Sequence, residues 1–181
     1  MLPKGAYVVT IKNAREESNK SGSGSHLCIA FDIAEGEYKG FYQAQFENDA
    51  NEDKKWPRDA IYYLSVPSDN SASYVWDGWN TFLDDLEDSN NGFVFGGDVK
   101  TLKGKLIGGK FHNEQSEYNG TVYDHTRLRW TCPADDVRSG KPGAMPKDKL
   151  IGDAKAKAPA VSTDSDGFMN IPDGTDEEVP F

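Results

Sequence analysis

The sequence has few cysteines and no long hydrophobic run, and each shortage excludes a class of protein. Only two of the 181 residues are cysteine, Cys28 and Cys132, and they form no CxxC pair. This count excludes a disulfide-stapled scaffold, and we expect free thiols and a reducing compartment. No stretch approaches the roughly 20 apolar residues of a membrane span, and no basic segment followed by an apolar one begins at Met1. We therefore expect a soluble, intracellular protein without a membrane partner.

The motifs of common enzymes and metal sites are also missing. The chain has no P-loop, no GxGxxG and no Ser/His/Asp spacing that suggests an enzyme. His26, His112 and His125 do not combine with cysteines or paired carboxylates at zinc spacing. Asp84 and Asp85 are adjacent on a predicted helix, so they cannot face one point as a catalytic acid pair. We therefore predict no enzyme, no metal and no cofactor.

Positive charge is absent from residues 158–181, which carry six of the 30 acidic residues. The formal net charge of the chain is −10, yet residues 99–131 have six Lys or Arg against three Asp or Glu. Such an asymmetry is a hint of a polyanionic partner for the folded part and of a self-repelling acidic tail.

Alternating apolar residues predict three strands in the first part of the chain. "AYVVTIKNAREE" and "HLCIAFDI" alternate with the period of a half-buried strand, and "FYQAQF" at residues 41–46 is interpreted as a third. Residues 47–74 give no single pattern, because Trp56-Pro57 indicates a turn and residues 60–64 favour a short helix.

A helix and a hairpin are predicted next. Large apolar residues recur at i, i+3, i+4 and i+7, with Asp77 as a candidate N-cap and Asn91-Gly92 as a stop signal. These apolar residues are Trp79, Phe82, Leu83 and Leu86. "KLIGGKFHN" and "TVYDHTRLRW" are strand-like and are joined through Asn119-Gly120, the dipeptide that most favours a tight hairpin. Beyond Cys132 large apolar residues are scarce, and we expect disorder from about Lys147 onward.

Three strands, a helix and a hairpin follow the element order of the OB fold. We therefore predict a mainly β protein: a five-stranded OB-fold barrel with one or two helices and a disordered acidic C-terminal tail. The final "DEEVPF" resembles the ends of bacterial and phage single-stranded-DNA-binding proteins. "LPKGAYVVTI", "EGEYKG", "LKGKLIGGKF" and "LRW" are similar to stretches of the phage-encoded members. The insertion at residues 47–74 departs from the common bacterial type, so the resemblance does not imply the tetramer of that type for this chain. Whether the chain forms a homo-oligomer stays open.

The resemblance implies a function and a domain plan. It implies sequence-independent binding of single-stranded DNA in the cytoplasm of a bacterial host cell, protecting replication and recombination intermediates. A single-strand annealing or recombination accessory protein is the alternative. The plan is an OB domain at 1–132, a flexible linker at 133–175 and an acidic tip at 176–181 that recruits replication, recombination or repair proteins. The tip residues are Asp176, Glu177, Glu178, Val179, Pro180 and Phe181.

The candidate DNA-binding residues are cations and aromatics that could share one face. Coating a single strand needs cations along the phosphates and flat side chains under the bases. In "TVYDHTRLRW" the alternation separates a basic and aromatic stripe from Leu128 and Trp130, which we assign to the core with Phe31, Trp79 and Phe82. For Tyr42 and Trp56, packing and stacking both stay open. The predicted DNA-binding set is Lys103, Lys105, Lys110, Phe111, Tyr118, Tyr123, Arg127, Arg129, Tyr42 and Trp56.

Overall fold

Five β-strands and three α-helices form the described part of the computed structural model, which covers residues 1–20, 22 and 24–152. The strands are β1 (Gly5–Ser18), β2 (Ser25–Ile33), β3 (Ile61–Val66), β4 (Leu106–Tyr118) and β5 (Thr121–Cys132). The helices are α1 (Phe41–Glu47), α2 (Ser73–Ser89) and α3 (Ala134–Arg138), with 3-10 turns at Arg58–Ala60 and Val99–Leu102.

All the pairings in the sheet are antiparallel, in the order β3-β2-β1-β4-β5. Strand β1 lies at the centre and pairs with both β2 and β4, whereas β3 and β5 are the two edges. The predicted number of five strands is confirmed, although one of them lies at another place in the chain, but the described sheet is not closed into the predicted barrel, since no ladder joins β3 to β5. Because helices pack against it, the fold class is mixed α/β and not the mainly β class that the sequence predicted.

The third strand lies later in the chain than predicted. Residues 41–46 were expected in a strand and instead form most of α1, because Gly40 turns the chain with φ +75° and the Asp32 carboxylate accepts a 2.9 Å hydrogen bond from the Tyr42 amide. Residues 60–64, where a short helix was predicted, belong mostly to β3. This strand pairs Leu64 with Leu27 of β2, and its sequence IYYLSV is rich in the aromatic and β-branched residues that suit a pleated surface.

The predicted central helix is confirmed as α2, with a different start. The helix begins at Ser73 after Ala72 in extended backbone, so Asp77 lies inside it and the prediction that this residue is the N-cap is wrong. It ends at Ser89, just before the predicted stop, where Gly92 has a φ of +74°.

The apolar core lies between the inner face of the sheet and α2. Phe31 and Phe82 are buried in it as predicted, and Trp79 is half-buried and packs against it. Gly108 is required on β4, because a Cβ atom there would lie 2.8 Å from the backbone carbonyl oxygen of Cys132. The other buried members include Val9, Ile11, Leu27, Ile29, Ile33, Leu64, Leu86, Leu102, Ile107 and Phe111.

A β-bulge in β5 changes which side chains face the core. Phe111 pairs with Leu128 and Lys110 pairs with Trp130, so Arg129 is the extra residue between two pairs. Because an extra residue reverses the alternation, Trp130 shares the outer face with Lys110 and is 45% exposed. The prediction that Trp130 belongs to the core is therefore wrong.

Residues 133–150 stay with the folded unit, which extends from Met1 to Leu150, although the sequence led us to expect a linker from residue 133. The Lys149 amide donates to the Asn113 carbonyl at 2.9 Å, and the Gln115 amide donates to the Lys149 carbonyl at 3.0 Å. This part of β4 extends past the start of β1, and its unpaired backbone groups take a new partner. Disorder at 147–150 is therefore not observed, and the predicted tail and tip beyond residue 152 lie outside the described residues.

Candidate nucleic-acid interface

A cleft of about 810 Å³ occupies the gap between the edge strands β3 and β5. We call it the basic cleft, because five Lys or Arg line it against a single carboxylate, that of Glu114. The cations are Arg58, Arg127, Arg129, Lys147 and Lys149. The remaining lining residues are Ile61, Tyr62, Tyr63, His112, Ser116 and Leu128. A concave surface that concentrates one sign of charge attracts an anionic ligand.

Three separate segments supply the cations of the basic cleft. Arg58 begins the 3-10 turn that precedes β3, and Arg127 and Arg129 belong to β5. Lys147 and Lys149 lie on the segment that runs back beside β4. The tertiary fold therefore produces this charge cluster from residues up to about ninety positions apart in the chain.

Two carboxylates hold part of this charge in place. Asp59 lies 3.2 Å from Arg127 Nε and 3.0 Å from His125 Nδ1. Glu114 lies 2.9 Å from Lys149 Nζ and 3.6 Å from Arg127 Nη1. Partial burial raises the pKa of Glu114, but the hydrogen bond from Lys149 and the charges of Lys149 and Arg127 outweigh it, so this pKa lies below its ordinary value. Arg127 and Lys149 are thus oriented before a ligand arrives.

A serine, a histidine and an aspartate form one chain of hydrogen bonds on the same face. Ser116 Oγ is 2.9 Å from His125 Nε2, and the other ring nitrogen of His125 is 3.0 Å from the Asp59 carboxylate. Ser116 lines the basic cleft. Sequence spacing did not reveal this arrangement, because Asp59 comes from the turn before β3 whereas the other two come from neighbouring strands of the hairpin.

Exposed tyrosines adjoin the cleft. Tyr63 lines it and is 56% exposed. Tyr118 and Tyr123 are 70% and 48% exposed and lie on the same face of the β4–β5 hairpin as Ser116. The predicted hairpin is confirmed, and Asn119 and Gly120 at its turn have φ of 50° and 74°, as a tight hairpin turn requires.

The fold brings part of the predicted DNA-binding set to this region. Arg127 and Arg129 line the basic cleft, and Tyr118 and Tyr123 lie on the hairpin that extends from it. Lys110 is on the outer face of β4, where its Nζ donates a 3.0 Å hydrogen bond to the Pro142 carbonyl. These five residues share one face of the sheet.

Four other predicted residues are elsewhere. Phe111 is fully buried and Tyr42 is 2% exposed, so neither ring can stack on a base without opening the core. Lys103 and Lys105 lie just before β4, at its end away from the hairpin tip, and Lys105 Nζ is 4.4 Å from the centroid of the Phe93 ring. At about 3.4 Å per residue, the nine positions from Lys105 to Glu114 span about 30 Å, so Lys105 lies far from Glu114 in the basic cleft.

Trp56 belongs to a second, smaller depression of about 300 Å³, which we call the tryptophan groove. Its indole Nε1 donates to the Phe31 carbonyl at 3.2 Å, and its ring lies 5.6 Å from that of Phe46 at an angle of 39°. Ile61 lines both this groove and the basic cleft. The full lining of the groove is Lys12, Asn13, Arg15, Cys28, Ala30, Phe46, Trp56 and Ile61.

Among the residues of the basic cleft that sequence reasoning missed are three cations and one exposed tyrosine, each missed for an identifiable reason. Arg58 and Tyr63 are in the insertion at residues 47–74, where no strand was predicted. Lys147 and Lys149 are in a segment expected to be disordered. The β-strand composition of residues 61–66 was the signal that could have identified Tyr63, whereas no local signal marks the two lysines.

Comparisons with known proteins identify no family for the chain. Neither a family model nor a curated protein matches it. Within the described ranges, no group of three or more His, Cys, Asp or Glu residues is arranged to hold a metal ion. No helix in that part of the chain is long and apolar enough to cross a membrane. Both cysteines are buried free thiols.

Proposed function

We propose that this protein binds single-stranded DNA without strong sequence preference, through an OB fold. The observation that carries the proposal is the basic cleft between β3 and β5, with exposed tyrosines on the same face. Cations neutralise phosphates, and flat rings stack on bases at about 1–3 kcal/mol per base. Only unpaired bases expose their faces to such rings, so single strands should be preferred over duplex.

The strand order supports the OB assignment. The OB fold is a partly open five-stranded barrel that binds oligonucleotides on its strand 2–3 face and on the loops between strands 1 and 2 and between strands 4 and 5. Here β1 pairs with both β2 and β4, and α2 lies between β3 and β4 in the chain. The basic cleft lies at β3 and beside the β4–β5 hairpin, which agrees with that mode of binding.

The biological role that we propose is protection of replication and recombination intermediates in a bacterial host cell. The resemblance of "DEEVPF" to the ends of phage and bacterial single-stranded-DNA-binding proteins supports this role. Recruitment of replication, recombination or repair proteins through Asp176–Phe181 stays a prediction, because these residues lie outside the described part of the chain. A strand-annealing accessory protein is the alternative within the same binding activity.

The proposal is tested by titrating poly(dT) and duplex DNA at two salt concentrations. We expect much tighter binding of poly(dT). Arg127→Ala combined with Arg129→Ala should weaken it for every sequence, because phosphate contacts carry no sequence information. The slope of log K against log salt should fall by about 0.7 for each lost phosphate contact.

A matched double variant, Lys103→Ala with Lys105→Ala, serves as the control and should retain the affinity and slope of the unmodified protein. Equal affinity for duplex and poly(dT) would rule out the proposed preference. An unchanged salt slope in the arginine variant would show that the basic cleft is not where phosphates bind. Acceleration of complementary-strand pairing by the bound protein would favour the annealing alternative over simple coating.

The hydrogen-bonded Ser116, His125 and Asp59 support a second candidate function, acyl transfer at Ser116. In such a reaction Ser116 Oγ attacks an ester carbonyl, His125 Nε2 takes the hydroxyl proton and then returns it to the leaving group. The Asp59 carboxylate also pairs with Arg127, so it is not dedicated to His125. DNA binding is therefore the better supported function. Hydrolysis of an anionic nitrophenyl ester that is lost in both Ser116→Ala and His125→Ala would favour the enzyme, and its absence would eliminate it.

A further inference from the structure

We propose that the tryptophan groove holds one unstacked base of the bound strand and that Asn13 reads this base, favouring adenine. The inference rests on the proposed single-strand binding and adds a base-reading subsite to it. The affinity for single-stranded DNA would then depend in part on its sequence.

The groove and the basic cleft are joined by one short stretch of chain. Ile61 lines both depressions, Arg58 lines the basic cleft, and Trp56 lines the groove. The exposed ring of Tyr63 follows two positions after Ile61 on the same face of β3. A strand whose phosphates lie against Arg58 can therefore cross β3 and present a neighbouring base to the groove.

The floor of the groove is made of small residues on the outer face of the sheet. Asn13 pairs with Ala30 and Arg15 pairs with Cys28, so these four share one face. The register of β1 shifts between Ile11 and Asn13, which brings Asn13 rather than Lys12 opposite Ala30. The small side chains of Cys28 and Ala30 and the rings of Phe46 and Trp56 line a depression of about 300 Å³, a size that suits one base.

The aromatic wall is held in position before any ligand binds. The Trp56 indole is fixed by its hydrogen bond to the Phe31 carbonyl and by contact with the Phe46 ring. A ring that is already ordered loses little conformational entropy when a base packs against it. An ordered ring therefore favours binding of one base at a fixed position in the groove.

The polar group at the rim is the side-chain amide of Asn13. It is exposed and makes no hydrogen bond with any other described residue. An asparagine amide can accept a hydrogen bond from adenine N6 and donate one to adenine N7 in a single bidentate pair, and adenine offers the Trp56 ring a larger surface for stacking than thymine does. Lys12 supplies positive charge for the adjoining phosphates, whereas the charge of Arg15 is paired with Glu17 at 2.5 Å. We therefore assign adenine as the favoured base.

The test uses the full chain and a series of oligo(dT) strands close to the length that one molecule covers, each with one dA at a different position. The unmodified protein should bind strands with dA in one narrow window about fivefold to tenfold more tightly than all-dT. Asn13→Ala should remove this gain and leave the affinity for all-dT and its salt slope unchanged. Asn80→Ala on the exposed side of α2 is the matched control and should retain the window.

The outcomes separate the inference from the proposed function. Failure to bind all-dT would remove the proposed function itself. Tight binding of all-dT with no favoured dA position would overturn the base-reading subsite and leave the proposed function standing. A favoured position that persists in Asn13→Ala would also overturn the inference, because the preference would then arise from another residue.

Discussion

At the scale of single residues, the hydroxyl group of Tyr42 stands out because its burial is not offset by a hydrogen bond. It is buried and has no hydrogen-bond partner in the described part of the chain. Burial, together with the nearby charges of Asp59 and Asp32, raises the pKa of this phenol well above its ordinary value. A buried hydroxyl without a partner costs about 1–3 kcal/mol in mutational data, so the fold tolerates this group at the expense of stability.

We predict that Tyr42→Phe raises the free energy of unfolding by about 1 kcal/mol or more, because the variant keeps the ring and removes the unpaired oxygen. Urea unfolding measures the change, and poly(dT) affinity should stay the same because the ring is in the core. Tyr74→Phe is the control: Tyr74 is 76% exposed, so the loss of its hydroxyl should change stability little. A lower unfolding free energy for Tyr42→Phe would show that the hydroxyl is satisfied in solution.

At the scale of elements, the segment 147–150 is attached to β4 by charged contacts as well as by backbone hydrogen bonds. Lys149 pairs with Glu114, and Asp148 pairs with Lys4 at 2.9 Å. The hydrogen bond from Lys4, followed by that from the Asn113 amide, lowers the pKa of Asp148. The pKa of Glu114 is lowered as well. Two carboxylates therefore hold one wall of the basic cleft.

We predict that this segment is released at acidic pH. Unfolded Asp and Glu have pKa values of about 3.9 and 4.3. Since the folded values of Asp148 and Glu114 are lower, their stabilising contribution is complete above about pH 4.3 and is lost as the pH falls through the folded values. Protection of the Lys149 and Gln115 amides from hydrogen exchange, corrected for intrinsic rates, should fall between pH 5 and pH 3.

The control for this prediction is the double variant Asp148→Asn, Glu114→Gln. It should lose most of the pH dependence of protection over that range, because neither position can titrate. Equal pH dependence in the variant and the unmodified protein would assign the effect to other groups. Protection that stays constant to pH 3 would show that the backbone hydrogen bonds alone hold the segment.

At the scale of the whole molecule, the charge is divided between a basic cleft and an acidic tail. Residues 158–181 carry six acidic residues and no Lys or Arg, and they lie outside the described part of the chain. They follow Lys149 of the basic cleft after eight intervening residues. We expect tail carboxylates that follow the cleft so closely in sequence to compete with phosphates for it.

We predict that deleting residues 158–181 tightens poly(dT) binding at low salt and has little effect at high salt, where the charges are screened. Fluorescence titration at two salt concentrations measures both. A chain of unchanged length, with the six acidic residues replaced by Asn or Gln, should behave like the deletion. Identical low-salt affinities for all three proteins would show that the tail does not reach the DNA site.

The elements that could be predicted are those whose signals are local. The alternation in β1 and β2, the helical spacing of α2 and the turn preference of Asn119-Gly120 each depend on residues within a few positions of one another. The basic and aromatic stripe of β5 was predicted correctly as far as Arg127, because strand alternation alone sets it. The same reasoning fails beyond the bulge at Arg129, where alternation predicted a core position for Trp130.

By itself the sequence determined the strands with strong alternation, the central helix, the final hairpin and the separation of charge along the chain. Only the tertiary structure decided that residues 61–66 form β3, because pairing with β2 overrides a weak local preference. It also decided which cations share a cleft: Arg58, Arg127 and Lys149 come together because the two edge strands approach each other without pairing and the segment after α3 returns along β4. Contacts between residues so distant in sequence arise from packing and backbone pairing, which no short stretch of sequence encodes.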